Sequence, residues 1–124
     1  MAEEYALPFS YINIEESMRH AMNQMAELTK DFAGTADEYG YAESAFKVAF
    51  ARNRLEARFG GNREGVKMTA DIAEDIATVE TEKERMAMEA AKAKNDATRQ
   101  ALLSVRSRLE ALRSLMASYR ESGN

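Results

Sequence analysis

Cysteine and tryptophan are absent from this chain, and proline occurs once, at Pro8. Without cysteine there are no disulfides, no thiolate nucleophiles and no cysteine-based metal sites, a composition that fits a reducing compartment. Without proline after residue 8, nothing of that kind interrupts a helix anywhere from residue 9 onward. Only six glycines punctuate the 124 residues, and ten residues are aromatic. Runs of Val, Ile and Thr are missing, so a sheet is not expected. There is no apolar N-terminal signal segment and no stretch near the roughly 20 apolar residues that span a bilayer. The chain therefore reads as a soluble, cytoplasmic protein with no membrane partner.

What is present is helical pattern. Apolar residues make up 45% of the chain, but many are alanine, which buries little area. Close helix–helix approach through alanine, or association between chains, is expected to supply the missing core. Residues 1–12 read as an N-terminal arm, irregular around Pro8, whose Leu7, Phe9, Tyr11 and Ile12 are apolar enough to dock on the body or on a neighbour. Residues 13–124 read as a single helical domain with helices at about 13–33, 36–59 and 70–120.

The local signals are these. Asn13 with Glu16 suggests a capping box, followed by an apolar stripe of Ile14, Met18, Met22, Met25, Leu28 and Phe32. Gly34 is expected to end that helix, and Thr35 with Glu38 to start the next. The second helix carries Tyr39, Ala42, Phe46, Ala49 and Phe50 on one face, with Leu55 and Phe59 extending or widening it. Gly60 and Gly61 should stop it, and 60–68 is the clearest loop. Thr69 can cap the third segment, with Asp71 in its first turn. Thr81 with Glu84 suggests a further cap, so 70–120 is either one helix of about 75 Å or is bent near 78–81. The fold class expected is all-α, an antiparallel helical hairpin or three-helix arrangement with a long C-terminal helix, oligomeric.

The oligomeric expectation comes from the C-terminus. Leu102, Val105, Leu109, Leu112, Met116 and Tyr119 alternate in steps of three and four, a coiled-coil-like seam. These six are the candidate oligomerisation residues.

Charge is segmented. Residues 1–43 carry net −7, 44–69 net +4, 70–91 net −5 and 92–124 net +4, giving −4 in all. Alternating blocks suit either internal pairing of antiparallel helices or a basic surface that faces a polyanion. The basic set Lys47, Arg52, Arg54, Arg58, Arg63 and Lys67 is the candidate nucleic-acid-binding group. Arginine clamps phosphate, and a nearby ring such as Phe50 or Phe59 can stack on an unpaired base. Arg99, Arg106 and Arg113 lie one heptad apart and line one edge of the last helix.

Catalytic signals are missing. His20 is the sole histidine and has no cysteine or second histidine to join it in a metal site. Asp71, Glu74 and Asp75 suit a helix N-terminus without any catalytic role. The glycines at 60, 61 and 65 lack P-loop spacing and follow a helix, not a strand. No triad, nucleophile elbow or HExxH motif is present. The expectation is a protein that is not an enzyme and needs no cofactor or metal.

The stretch from about 36 to 120 resembles the UvsY-like recombination mediators of tailed phages. The residues that carry the resemblance are the basic helix and glycine turn in AFKVAFARNRLEARFGGNREGVKMTADIAEDIA and the terminal VRSRLEALRSLMASYRE. The resemblance implies a small, non-enzymatic homo-oligomer that binds single-stranded DNA and helps a strand-exchange recombinase replace a single-strand-binding protein. In a phage-encoded protein the compartment would be the host cytoplasm. It also implies that the basic stretch before the turn contacts DNA and that the terminal amphipathic helix assembles the oligomer. The strongly acidic residues 1–43 depart from that pattern. The alternatives are a helical scaffolding or assembly protein with no nucleic-acid binding, and a small regulator that masks a DNA-binding partner with its acidic segment.

Overall fold

The computed structural model describes residues 11–60 and 68–122. Those residues form three helices and, among them, no strand: α1 (Tyr11–Phe59), α2 (Ala70–Glu80) and α3 (Glu82–Ser122). The all-α expectation holds. The boundaries differ from the sequence reading in two places and decide between its alternatives in a third.

First, α1 runs through Gly34 without a break, so the expected helices 13–33 and 36–59 are one helix of 49 residues. Gly34 and Gly40 are each unfavourable in a helix interior by about 1 kcal/mol. Helix stability in proteins comes mainly from packing, which outweighs two such residues. Thr35 is not a cap. It is buried within the helix, and its hydroxyl donates to Asn95 Oδ1 at 2.9 Å. Second, Tyr11 and Ile12 belong to the helix and not to the arm, so Asn13 lies inside α1. The rest of the expected arm lies outside the described residues. Of the two readings left open for 70–120, the bent one holds: the helix is divided at Thr81, where φ is −108° and ψ is 20°. The Thr81 hydroxyl donates back to the Ala77 carbonyl at 2.6 Å. It does not act as the cap expected for Glu84, and such back-bonding bends helices.

The two glycine and threonine signals flanking the loop behave as read. α1 stops at Phe59, and Gly60 N–H donates to the Glu56 carbonyl at 2.7 Å. A Cβ at residue 60 would collide with that same carbonyl, which is why a glycine stands there. Thr69 caps α2, its side-chain oxygen accepting from Ile72 N–H at 3.3 Å.

The described residues divide into two compact units. One comprises 11–33 with 96–122. Its centre is Ala21, Val105 and Leu109, with Met18, Met25, Leu28 and Leu112 packed around them. Met22, placed on the stripe by the sequence reading, is 53% exposed, and Ala21 occupies the inward position instead. Tyr11 and Tyr119 meet with ring centroids 5.8 Å apart, and Arg108 donates to Gln24. Numbers rise along α1 where they fall along α3.

The other unit comprises 34–60 with 68–95. Its buried apolar residues are all alanine: Ala57, Ala73 and Ala77. Buried Thr35 and Thr81 complete it. Phe46 and Phe50 sit half-buried with centroids 5.9 Å apart. Lys94 pairs with Glu38 at 3.3 Å. Alanine at these positions brings backbones close and leaves little apolar area to bury, as the composition suggested.

Candidate nucleic-acid interface

The last turns of α1 and the first turns of α2 form an open cleft of about 320 Å³ in the second unit. Arg54, Leu55, Arg58 and Phe59 line it from α1, and Ala70 and Glu74 from α2. The helical repeat puts Arg54 and Arg58 one turn apart. Arg58 also stands in the last turn of α1, where a cation meets the negative end of the helix dipole. Its guanidinium carbon is 5.9 Å from the centroid of the Phe59 ring, within reach of a cation–π contact. Phe59 itself is 75% exposed.

Of the six basic residues singled out from the sequence, the structure brings Arg54 and Arg58 together at this cleft. Arg52 is exposed on α1 but is not part of the cleft lining. Arg52, Arg54 and Arg58 enter none of the ion pairs formed among the described residues. Lys47 differs, because its ammonium bonds Glu43 at 3.3 Å. Hydrogen bonds from Tyr39 and then Lys47, with the Lys47 charge, hold the Glu43 carboxyl below its ordinary pKa. Lys47 thus has a local partner, in an exposed pair of the kind that contributes little. That pairing was legible as a Glu four residues before a Lys. Arg63 and Lys67 lie outside the described residues.

Two features of the cleft were not read from the sequence. Glu74 adds a carboxylate opposite the arginines, which works against a polyanion entering deeply. Leu55 and Phe59, expected to extend the inward face, point away from it. Glu74 has no local sequence signal, since α2 brings it to the cleft, whereas helical phase alone turns Leu55 and Phe59 off the inward face.

Within the chain, the α3 seam faces α1, and Tyr119 at its end stays 42% exposed. Val105, Leu109 and Met116 are buried, and Leu102 and Leu112 are partly so. Val105, Leu109 and Leu112 pack on Ala21, Met18, Met25 and Leu28 of the same chain. Tyr119 meets Tyr11. The periodicity was read correctly, and part of the face it marks packs inside the chain. An α1 stripe of matching length supplies the opposite face within the chain. Arg99, Arg106 and Arg113 are exposed along α3. Met22, Met25, Ala26, Thr29, Leu109 and Arg113 line a shallow groove of about 310 Å³ in this unit.

No group of three or more His, Asp or Glu residues is gathered for a metal ion among the described residues. None of the described helices is long and apolar enough to cross a membrane. Comparison with protein-family models, with curated proteins and with solved structures finds no match to this chain.

Proposed function

We propose that this protein is a non-catalytic, single-stranded-DNA-binding recombination mediator that acts as a homo-oligomer in the cytoplasm. Its partners would be a strand-exchange recombinase and the single-strand-binding protein that the recombinase replaces. The observation that carries the DNA-binding part is the pair Arg54 and Arg58. Both are exposed and outside any ion pair among the described residues, both line the cleft with the exposed Phe59, and Arg58 lies against its ring. Two guanidinium groups one turn apart suit successive phosphates, and the ring suits stacking by an unpaired base. The recombination role rests on the resemblance of residues 36–120 to the phage mediators. Opposed numbering in both units supports an antiparallel helical hairpin as the frame for this surface.

The test is a titration of a fluorescent single-stranded oligonucleotide at several salt concentrations. Binding should weaken steeply with salt, and the slope should fall by about 0.7 for each arginine removed in Arg54→Ala and Arg58→Ala. Binding that is equally tight in the double variant would overturn the assignment of this cleft.

A second reading is a helical scaffold without nucleic-acid affinity. The observations that favour it are the net charge of −4 and the large apolar side chains left exposed on α1. No oligonucleotide binding at low salt would leave it the better account.

A further inference from the structure

The outward face of α1 in the second unit carries four large apolar side chains among charged and small ones. Ala42, Phe46, Ala49, Phe50 and Ala57 look inward. On the opposite side Tyr41 is 79% exposed, Val48 55%, Leu55 53% and Phe59 75%.

The exposed residues have a register. Gly34, Tyr41, Val48 and Leu55 recur every seven residues, and Glu38, Ala45, Arg52 and Phe59 fall four after each. All eight are exposed. This is a second a/d-type seam, sustained for more than three heptads; its residues are exposed, and Leu55 and Phe59 at its end also line the cleft beside α2.

We propose that this seam binds a second copy of the chain, antiparallel, through α1 residues 34–59. Charge and size select that occupant and that direction. A parallel pair would stack Arg52 on Arg52 and Glu38 on Glu38. The antiparallel register sets Arg52 against the Tyr41 ring of the second copy, Val48 against Ala45, and Leu55 against the methylenes of Glu38. It sets Phe59 against Gly34, where even an added Cβ would meet nothing within 4 Å of its own chain. Each large side chain thus faces a small or flexible one. On the flank, Asp37 comes beside Arg58 of the second copy, and two-fold symmetry makes that pair twice. Ser44 and Ala51 face each other between these pairs and let the helices approach closely. Arg54 lies off the seam and stays exposed to solvent, whereas Arg58 and Phe59 enter it, so the dimer and the oligonucleotide contact proposed above compete for those two residues. The inference rests on the self-association in the proposed function, not on its DNA binding. It moves that association from the α3 seam to α1.

Sedimentation of the full chain from micromolar to submillimolar concentration tests it, with circular dichroism on each variant. Val48→Glu should abolish the dimer and keep the helix signal, because Val48 is already half exposed. Asp37→Arg and Arg58→Asp should each weaken the dimer on the order of tenfold. The combined reversal, D37R with R58D, should restore it to near wild type. A chain that stays monomeric throughout, a dimer that survives Val48→Glu, or a double reversal weaker than either single one overturns the proposal. A dimer with this variant pattern but no affinity for oligonucleotide supports the seam and sinks the DNA-binding reading.

Discussion

Thr81 shows how one side chain divides a helix. It is almost completely buried, and its hydroxyl and its backbone N–H both donate to the Ala77 carbonyl, at 2.6 and 3.0 Å. Thr81→Val keeps the shape of the side chain and removes only the hydroxyl. The Ala77 carbonyl retains its backbone donor, so no buried group is orphaned. The loss should therefore be at the low end for a hydrogen bond, about 0.5–1 kcal/mol. Thr81→Ala also removes a buried methyl group and should cost more. Urea unfolding of both variants checks the order, and a Val variant less stable than the Ala variant would contradict it. From the sequence, Thr81 looked like a cap because a glutamate follows three residues later. The same hydroxyl can bond forward as a cap or backward to the preceding turn. Which it does depends on burial, and burial comes from the fold.

At the scale of the element, the same ambiguity explains the false break in α1. Gly34, Thr35 and Glu38 form a stop-and-start signal by local rules, yet Thr35 is turned inward to Asn95 and Glu38 pairs with Lys94. Both partners lie far along the chain, so no window of local sequence contains them. The glycines remain a cost within the helix. Gly40→Ala should raise stability by about 0.5–1 kcal/mol, since a Cβ there meets nothing within 4 Å. Gly60→Ala should do the opposite, because its Cβ would meet the Glu56 carbonyl. Thermal unfolding followed by circular dichroism reads both signs, and a Gly40→Ala variant less stable than wild type would contradict the open-face geometry. The terminators that were legible, Gly60 and Thr69, are those whose chemistry is wholly local. The Arg54 and Arg58 pair was legible for the same reason: helical spacing alone puts them together. Glu74 was not, because α2 brings it to the cleft.

At the scale of the whole molecule, the two heptad-like patterns differ in how the chain itself covers them. The α3 pattern from Leu102 to Tyr119 has aliphatic residues at its centre and drew attention as an assembly seam, yet α1 of the same chain covers it. The α1 pattern from Gly34 to Phe59 contains Gly, Glu and Arg, which hid it, and it stays exposed. Periodicity states that a face will be covered and is silent on whether the cover is internal. This gives opposite expectations for two substitutions. Val48→Glu should affect association alone. Leu109→Ala should act on folding, because Leu109 is 4% exposed and packs with Ala21 and Val105. Truncating a buried leucine destabilises by about 2–5 kcal/mol. The loss belongs to the unit of residues 11–33 and 96–122, so amide exchange should accelerate first at Met18–Leu28 and Leu102–Met116. Amides at Ala73 and Ala77, in the alanine-lined unit, should keep more of their protection if the units open separately. Hydrogen exchange read by mass spectrometry separates the cases. Protection lost only on dilution of the protein would mean that Leu109 lies between chains. Protection lost at every concentration would keep it in the core of its own chain.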